Sequence, residues 1–183
     1  TKSLRQEVFS RPLAIGQSIR MQTHLHRELT VVQGYLELGM HGLAWNALVK
    51  IDESYHQAVP FLRIRADVCR AMEKWDIVAE ATRQLAELEP WDVRHIIKMA
   101  EAVRVIEGEQ AAAHLLDSAK EKYVPDAVLL YNLACYRATL GCIEEAKSLL
   151  SEAFTLNIWL KLHALRDPDL KGVLDTLSDP ALG

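Results

Sequence analysis

The sequence has few of the residues that bend or cross-link a chain. Its 183 residues include eight glycines, six prolines and three cysteines. The cysteines are odd in number and form no Cys-x-x-Cys pair, which argues against a disulfide framework and is typical of reduced thiols in a cytoplasm. We therefore expect a cytoplasmic protein that does not depend on cross-links for its stability.

Long apolar runs and an excess of basic residues are also absent. No run approaches the roughly 18–20 apolar residues of a membrane span, and the first residues lack the apolar core of a signal peptide. Lysine and arginine number 21 against 25 aspartates and glutamates, a net charge of −4. A nucleic-acid-binding domain is normally basic. We expect neither a nucleic-acid partner nor insertion into a membrane.

Motifs of catalysis and cofactor binding are missing as well. The chain has no GxGxxG, P-loop, HExxH or GxSxG. His24 and His26 point in different directions on a helix and cannot hold one ion, and the other histidines, His95 among them, are scattered singly. Cys135 and Cys142 have no flanking acid–base partner, so we expect small packing residues. The sequence predicts no enzyme, no cofactor and no metal site.

The chain does contain a helical hairpin pattern that recurs. Residues 127–156 form two amphipathic stretches joined by a tight turn at Gly141, with Asp126 placed to cap the first helix. Units of this kind begin at residues 25, 59, 93 and 127, a constant spacing of 34. Their eighth, twentieth and twenty-seventh positions hold small or apolar residues that suit close helix packing: Val32, Ala66, Ala100, Ala134; Ala44, Val78, Ala112, Ala146; and Ile51, Leu85, Ala119, Ala153.

This 34-residue helix–turn–helix period resembles the tetratricopeptide-repeat family over residues 25–158. Family positions are matched best in the last repeat and in part in the first two: Leu133, Ala134, Gly141, Ala146, Ala153; Tyr35, Gly39, Ala44; and Ala66, Trp75, Pro90. The second repeat has Glu73 at the turn position where glycine stands in the first and last. The resemblance implies an all-α fold, a right-handed α-solenoid of antiparallel helix hairpins with helical caps at both ends.

We expect one domain over residues 1–183. The four repeats are flanked by an N-terminal segment, residues 1–24, and by a C-terminal capping helix and tail, residues 159–183. The N-terminal segment is expected to cover the exposed end of the solenoid, because terminal repeats present apolar surface. The alternative is that it reaches into another subunit.

Finer expectations concern helix ends and tryptophans. Asp92 and Asp167 are predicted helix caps, and the second helix of the first repeat is predicted to run from about Gly42 to Ser54. Three tryptophans on second-helix or linker positions are expected to pack between hairpins, and an exposed one would indicate a contact on the convex side: Trp45, Trp91 and Trp159.

In the family that the chain resembles, the first helix of each hairpin lines a concave groove that holds an extended peptide or a partner helix. Carrying over these positions predicts a partner-binding groove of Arg63, Asp67, Arg70, Arg94, Ile97, Glu101, Arg104 and Tyr131. The inner face of the fourth repeat also holds Val128, Cys135 and Ala138. Arginine donates two parallel hydrogen bonds to a carboxylate, which favours an acidic partner. The alternative is that Asp67 and Glu101 pair with arginines one turn away and leave only a solvated charged face.

The predicted function is that of a non-enzymatic scaffold or adaptor that binds a peptide or helix of another protein. The resemblance does not extend to the family's carboxylate clamp, because Leu29 and Gln33 stand where lysine and asparagine would. The alternative is a structural homo-oligomerisation module that uses its N-terminal extension or its capping ends.

Overall fold

The computed structural model describes residues 23–177, without the side chains of residues 175–177. Regular structure in that range is entirely helical, with no strand, and none of its helices is both long and apolar enough to cross a membrane. The predicted N-terminal cap, apart from residues 23 and 24, lies outside the described residues.

The helices are α1 (23–37), α2 (His41–Leu48), α3 (Val59–Ala71), α4 (Trp75–Leu88), α5 (Val93–Glu107), α6 (Glu109–Lys122), α7 (Ala127–Thr139), α8 (Ile143–Leu156), α9 (Leu160–Ala164) and α10 (Lys171–Leu177), with 3₁₀ turns at Glu53–Tyr55 and Pro168–Leu170.

The chain divides into two compact units, unit 1 (Thr1–Glu73) and unit 2 (Lys74–Gly183). Each has its own apolar core. In unit 1 the core joins α1, α2 and α3 through residues that include Val32, Leu48 and Val68. In unit 2 the helices pack in chain order from α4 to α8, and α5 also contacts α7. The one-domain solenoid over residues 25–158 stays a prediction.

The 34-residue period is present in the positions of the helices. The first helices of the last three repeats and the second helices of all four begin 34 residues apart: at Val59, Val93 and Ala127, and at His41, Trp75, Glu109 and Ile143. All twelve small or apolar residues of the three predicted columns are buried. The helical hairpin pattern inferred from the sequence is therefore confirmed at the level of helix register.

Helix α2 is shorter than predicted. It ends at Leu48 rather than near Ser54. The reason is local. The Asp52 carboxylate accepts a hydrogen bond of 2.9 Å from the Ser54 amide, and this side-chain bond replaces a hydrogen bond that the amide would make to a backbone carbonyl in a continued helix. Ile51 is nevertheless buried in the core of unit 1, so the repeat keeps its packing contact.

Three predicted aspartate caps are present. Asp126 accepts hydrogen bonds from two amides in the first turn of α7, and Asp92 accepts one from the first turn of α5. Asp167 caps the 3₁₀ turn that leads into α10. Leu170 and Val173 are buried in the core of unit 2, so the C-terminal segment packs against that unit.

The turn between the two helices of a repeat uses left-handed backbone. Gly39 has φ 69° and Gly141 has φ 81°. After Gly141, the Cys142 amide donates to the Arg137 carbonyl at 2.8 Å, a bond that satisfies one of the last carbonyls of α7. Glu73 has φ 57° and is the one non-glycine residue with positive φ among residues 23–177. It therefore carries backbone strain that glycine would not.

Glu73→Gly is expected to raise the free energy of unfolding by about 1 kcal/mol. A side-chain-bearing residue in left-handed backbone costs roughly 1–2 kcal/mol, and glycine's greater freedom in the unfolded chain offsets part of the gain. Urea denaturation followed by circular dichroism measures the change. Glu80→Gly in the middle of α4 is the matched control and should lower stability by about 1 kcal/mol. Equal losses from both substitutions would contradict the assignment of strain.

Candidate functional site

The predicted groove residues divide between the two units. Arg63, Asp67 and Arg70 lie on α3 in unit 1, and the other five lie in unit 2. Arg63 and Asp67 are half-buried and Arg70 is exposed. All three already make hydrogen-bonding, ionic, ring or electrostatic interactions. Their presence on α3 alone therefore does not define a binding site.

The two arginines predicted on α5 pair with carboxylates of unit 2. The Arg94 guanidinium donates to both oxygens of Asp92, Nε to Oδ1 at 2.8 Å and Nη2 to Oδ2 at 2.6 Å. Arg104 Nη1 lies 3.7 Å from Glu109 Oε1. These acids differ from the one that sequence spacing suggested, Glu101. Both arginines are thus paired with carboxylates of their own unit, and the pairs suggested for Asp67 and Glu101 stay a prediction.

Tyr131 faces inward rather than into open solvent. It is buried, and its hydroxyl donates to Asp167 Oδ2 at 2.8 Å. The Cys135 thiol donates to the same oxygen at 3.6 Å. Burial, followed by the interactions with Asp167, raises the pKa of Tyr131 and of Cys135 well above their usual ranges. The Tyr131 hydroxyl and the Cys135 thiol thus hold the Asp167 carboxylate in place.

A cleft of about 860 Å³ opens beside this buried cluster. One wall is α7, with Val128, Tyr131 and Asn132; the facing wall is the segment from α9 to Pro168. Val128 and Tyr131 are inner-face positions of the fourth repeat in the resemblance described above. Tyr131 is therefore the one member of the eight-residue predicted groove that lines this cleft, and most of the lining comes from residues outside that prediction.

The α9 segment exposes several large apolar side chains, although Leu160 at its start packs against the core of unit 2. Leu162 is 58% exposed and Leu165 is 72% exposed, while Ala164 between them is buried in the core of unit 2. Ile158 and Trp159, just before α9, are exposed as well. Folded chains seldom leave a cluster of large apolar side chains in water unless it serves an interaction. The α9 segment thus has the composition of a contact surface.

The rim of the cleft carries the Arg166 guanidinium and the His163 imidazole. The Lys161 ammonium does not line the cleft and lies 5.8 Å from the centre of the Phe154 ring. Asp167, the acid next to Arg166, is turned inward to Tyr131. Within residues 23–177 Arg166 forms no ion pair with a carboxylate. The cleft therefore combines apolar walls with an available guanidinium.

Side-chain caps fix the α9 segment at both ends. Asn157 Oδ1 accepts a hydrogen bond of 3.1 Å from the Trp159 amide, and Asp167 Oδ1 accepts one of 3.1 Å from the Asp169 amide. Leu170 follows and is fully buried. These contacts hold α9 in place. A helix of five residues makes too few backbone hydrogen bonds to be stable by itself.

The sequence contained a signal for this surface. Trp159, Leu162 and Leu165 recur at three-residue steps, a helical stripe within the segment assigned to capping. The pattern alone does not tell which face is buried, and here Ala164 takes the inner position. The expectation that the tryptophans pack between hairpins is wrong for Trp159 and Trp91, which are both exposed.

A second cluster of polar side chains lies at the turn between α4 and α5. One ligand atom from each of Glu89, Asp92 and His95 falls within 4.8 Å of the others. His95 Nε2 is 2.8 Å from Glu89 Oε2 and 3.5 Å from Asp92 Oδ2. His95 is buried. In the sequence it is one of several histidines that stand singly. Because these residues are of three types and straddle a turn, no helical or motif spacing singles them out.

Asp92 makes a pH-dependent contribution to stability. The hydrogen bond from the Arg94 side chain lowers the pKa of Asp92 from 3.8 to about 2. A carboxyl with a depressed folded-state pKa stabilises above its unfolded value, and the contribution is lost as pH falls from about 4 to about 2. Because Arg94 is solvent-exposed, we expect only about 1 kcal/mol at neutral pH.

The substitution Asp92→Asn tests this contribution. Asparagine still caps a helix, so the comparison isolates the charge. The stability difference from wild type, measured by urea denaturation, should be about 1 kcal/mol at pH 7 and should shrink below pH 4. A difference that stays constant down to pH 3 would contradict the assignment.

Comparison with models of known families gives no match for this chain, and comparison with curated proteins gives no significant match. The likeness to tetratricopeptide repeats therefore rests on the residues and on the helix register described above. The function has to be inferred from the cleft and its chemistry.

Proposed function

We propose that the protein is a non-enzymatic interaction module of the tetratricopeptide-repeat type, and that the cleft between α7 and α9 binds a peptide or helix of another protein. The observation that carries the proposal is the pair Leu162 and Leu165, exposed beside an open cleft and next to Arg166. Peptide-binding grooves combine apolar contacts with a few polar groups that fix orientation. This cleft has both.

The partner that fits is an amphipathic segment with an acidic side. Apolar residues at helical spacing would cover Leu162, Leu165 and Val128. A carboxylate placed one turn away would meet Arg166, whose planar fork donates two hydrogen bonds. The acidic preference inferred from the sequence is thus kept, but we assign it to Arg166 rather than to Arg94, which is already paired with Asp92.

The polar groups under the cleft support binding rather than chemistry. Tyr131 and Cys135 keep their protons because burial raises the pKa of each, and both donate to Asp167. These hydrogen bonds hold the residues beneath the cleft in one arrangement, so less conformational entropy is lost when a partner binds.

Self-association is the second candidate function. Ile158, Trp159, Leu162 and Leu165 form an exposed apolar end of unit 2, and a second copy could cover it. Sedimentation analysis over a wide concentration range separates the two functions. A monomer favours the peptide-binding module, and a stable dimer that Leu162→Asp dissolves favours the homo-oligomer.

Selection from a displayed library of random peptides tests the binding function. We expect the protein to enrich peptides with apolar residues at helical spacing and an acidic residue beside them. Fluorescence polarisation then measures a selected peptide against cleft variants. Leu162→Asp and Arg166→Glu should each weaken binding at least tenfold, about 1.4 kcal/mol or more. A peptide in which lysine replaces the acidic residue should regain affinity for Arg166→Glu.

Matched controls lie on α4 of the same unit. Leu88→Asp and Arg83→Glu change exposed residues outside the cleft and should leave the affinity within twofold. Equal affinity in cleft and control variants would place the peptide elsewhere and contradict the proposal. Failure to enrich any peptide would do the same.

A further inference from the structure

The cluster at the turn between α4 and α5 has the geometry of a metal site. A tetrahedral ion with bonds of 2.0–2.2 Å holds its ligand atoms about 3.4 Å apart. The imidazole nitrogen of His95 lies 2.8 Å from Glu89 and 3.5 Å from Asp92, and all three ligand atoms fall within 4.8 Å of one another. Small shifts of the side chains would bring them to metal-binding distances.

The backbone holds these side chains in place. Glu89 follows the last residue of α4, Asp92 caps α5, and His95 lies in the first turn of α5. The Asp92 amide donates to the Glu89 carbonyl at 3.0 Å, and the His95 amide donates to the Asp92 carbonyl at 3.2 Å. The three ligands thus come from one short hydrogen-bonded turn, which reduces the entropy that an ion must overcome to order them.

Burial strengthens this interpretation. The side chains of His95, Asp92 and Glu89 are only 5%, 9% and 18% exposed, so two carboxylates and an imidazole are largely withdrawn from water.

We infer that Glu89, Asp92 and His95 bind a divalent transition-metal ion at the turn between α4 and α5. One imidazole and two carboxylates form a mixed nitrogen and oxygen set, for which Zn²⁺ is the best match. Three protein ligands leave a fourth position for water. This site lies apart from the peptide cleft and does not depend on it.

Arg94 competes with the ion for Asp92. Its guanidinium is hydrogen-bonded to both carboxylate oxygens, and its side chain is 74% exposed. An exposed ion pair is weak, so Arg94 can move into solvent when the ion binds. Removal of this side chain should therefore strengthen metal binding, a result that a purely structural ion-pair cluster does not predict.

Calorimetric titration of the full chain with zinc chloride, after treatment with a chelator and dialysis, tests the site. We expect one ion per chain with a dissociation constant of about 10 µM or lower. His95→Ala and Glu89→Gln should weaken binding at least tenfold, and Arg94→Ala should tighten it several-fold. His114→Ala, which removes an exposed histidine of α6 in the same unit, should leave the affinity within twofold.

Several results would overturn the inference: no one-site binding in wild type at 100 µM zinc, undiminished binding in Glu89→Gln, or weaker binding in Arg94→Ala. Circular dichroism first establishes that each variant is folded. If His95→Ala unfolds, Glu89→Gln decides the outcome, because Glu89 lies outside the helices and is partly exposed. Cobalt substitution adds a visible absorption band for tetrahedral coordination, which the Glu89→Gln variant should lose.

Discussion

Leu133→Ala is expected to lower the free energy of unfolding by about 3 kcal/mol. Leu133 is fully buried in α7, within the core that joins α5 to α8 of unit 2. Loss of a buried leucine removes its transfer free energy and leaves a cavity, which together cost roughly 2–5 kcal/mol. Neighbouring small residues such as Ala134 and Ala146 bring the helix backbones close and leave little room for collapse into the space.

Urea denaturation monitored by circular dichroism measures this loss. The matched control is Leu162→Ala, which removes the same atoms from an exposed position in the same unit and should change stability by less than about 0.5 kcal/mol. A loss under 1 kcal/mol at Leu133, or similar losses at both positions, would mean that α7 does not lie at the centre of a packed core.

Asp167→Ala is expected to cost about 2–3 kcal/mol. The carboxylate accepts hydrogen bonds from the Tyr131 hydroxyl at 2.8 Å and from the Asp169 amide at 3.1 Å, with the Cys135 thiol at 3.6 Å. Its removal leaves a buried hydroxyl without an acceptor, and such a group costs roughly 1–3 kcal/mol. Loss of the cap on the 3₁₀ turn adds about 1 kcal/mol.

A double-substitution cycle isolates the interaction between Asp167 and Tyr131. Tyr131→Phe with Asp167→Ala should cost less than the sum of the single changes, because the orphaned hydroxyl is gone. Asp169→Ala is the control: its side chain is exposed, and its loss should be small. If the stability lost in the double variant equals the sum of the two single losses, the Tyr131 hydroxyl does not interact with the Asp167 carboxylate.

The helices were predictable because their determinants are local or periodic. Asp92 and Asp126 act on amides two or three residues away, so sequence spacing is enough to assign them. The buried columns were predictable for a different reason: a 34-residue period repeats the same packing environment, and each repeat supports the assignment of the others. One local rule was missed, the Asp52 turn that ends α2 early.

The candidate site was less predictable because its determinants are distant in sequence. Tyr131 was expected on an open groove surface, but its acceptor Asp167 lies 36 residues away, and periodicity within α7 carries no information about that contact. The pairing of Arg94 was missed for another reason. Asp92 was recognised as a cap, yet its carboxylate also accepts from the Arg94 side chain, and spacing rules for helix interiors do not cover this geometry.

The exposed residues of the α9 segment show that an apolar sequence pattern does not determine which side of a helix is buried. Trp159, Leu162 and Leu165 satisfy the rule for a buried helical stripe, but Ala164 occupies the inner position. The small Ala164 allows α9 to lie close to the core of unit 2, against which Leu160 also packs, while Trp159, Leu162 and Leu165 stay exposed. Apolar periodicity predicts that such a stripe is covered; it does not distinguish cover by the same chain from cover by a partner.

Nuclear magnetic resonance of the isotopically labelled protein, titrated with a library-selected acidic amphipathic peptide, locates the binding site residue by residue. We expect amide shifts to concentrate in residues 128–132 and 160–168, which line the cleft, and to disappear in the Leu162→Asp variant. Shifts that concentrate on the arginines of α3 and α5 and spare residues 160–168 would contradict the cleft as the binding site.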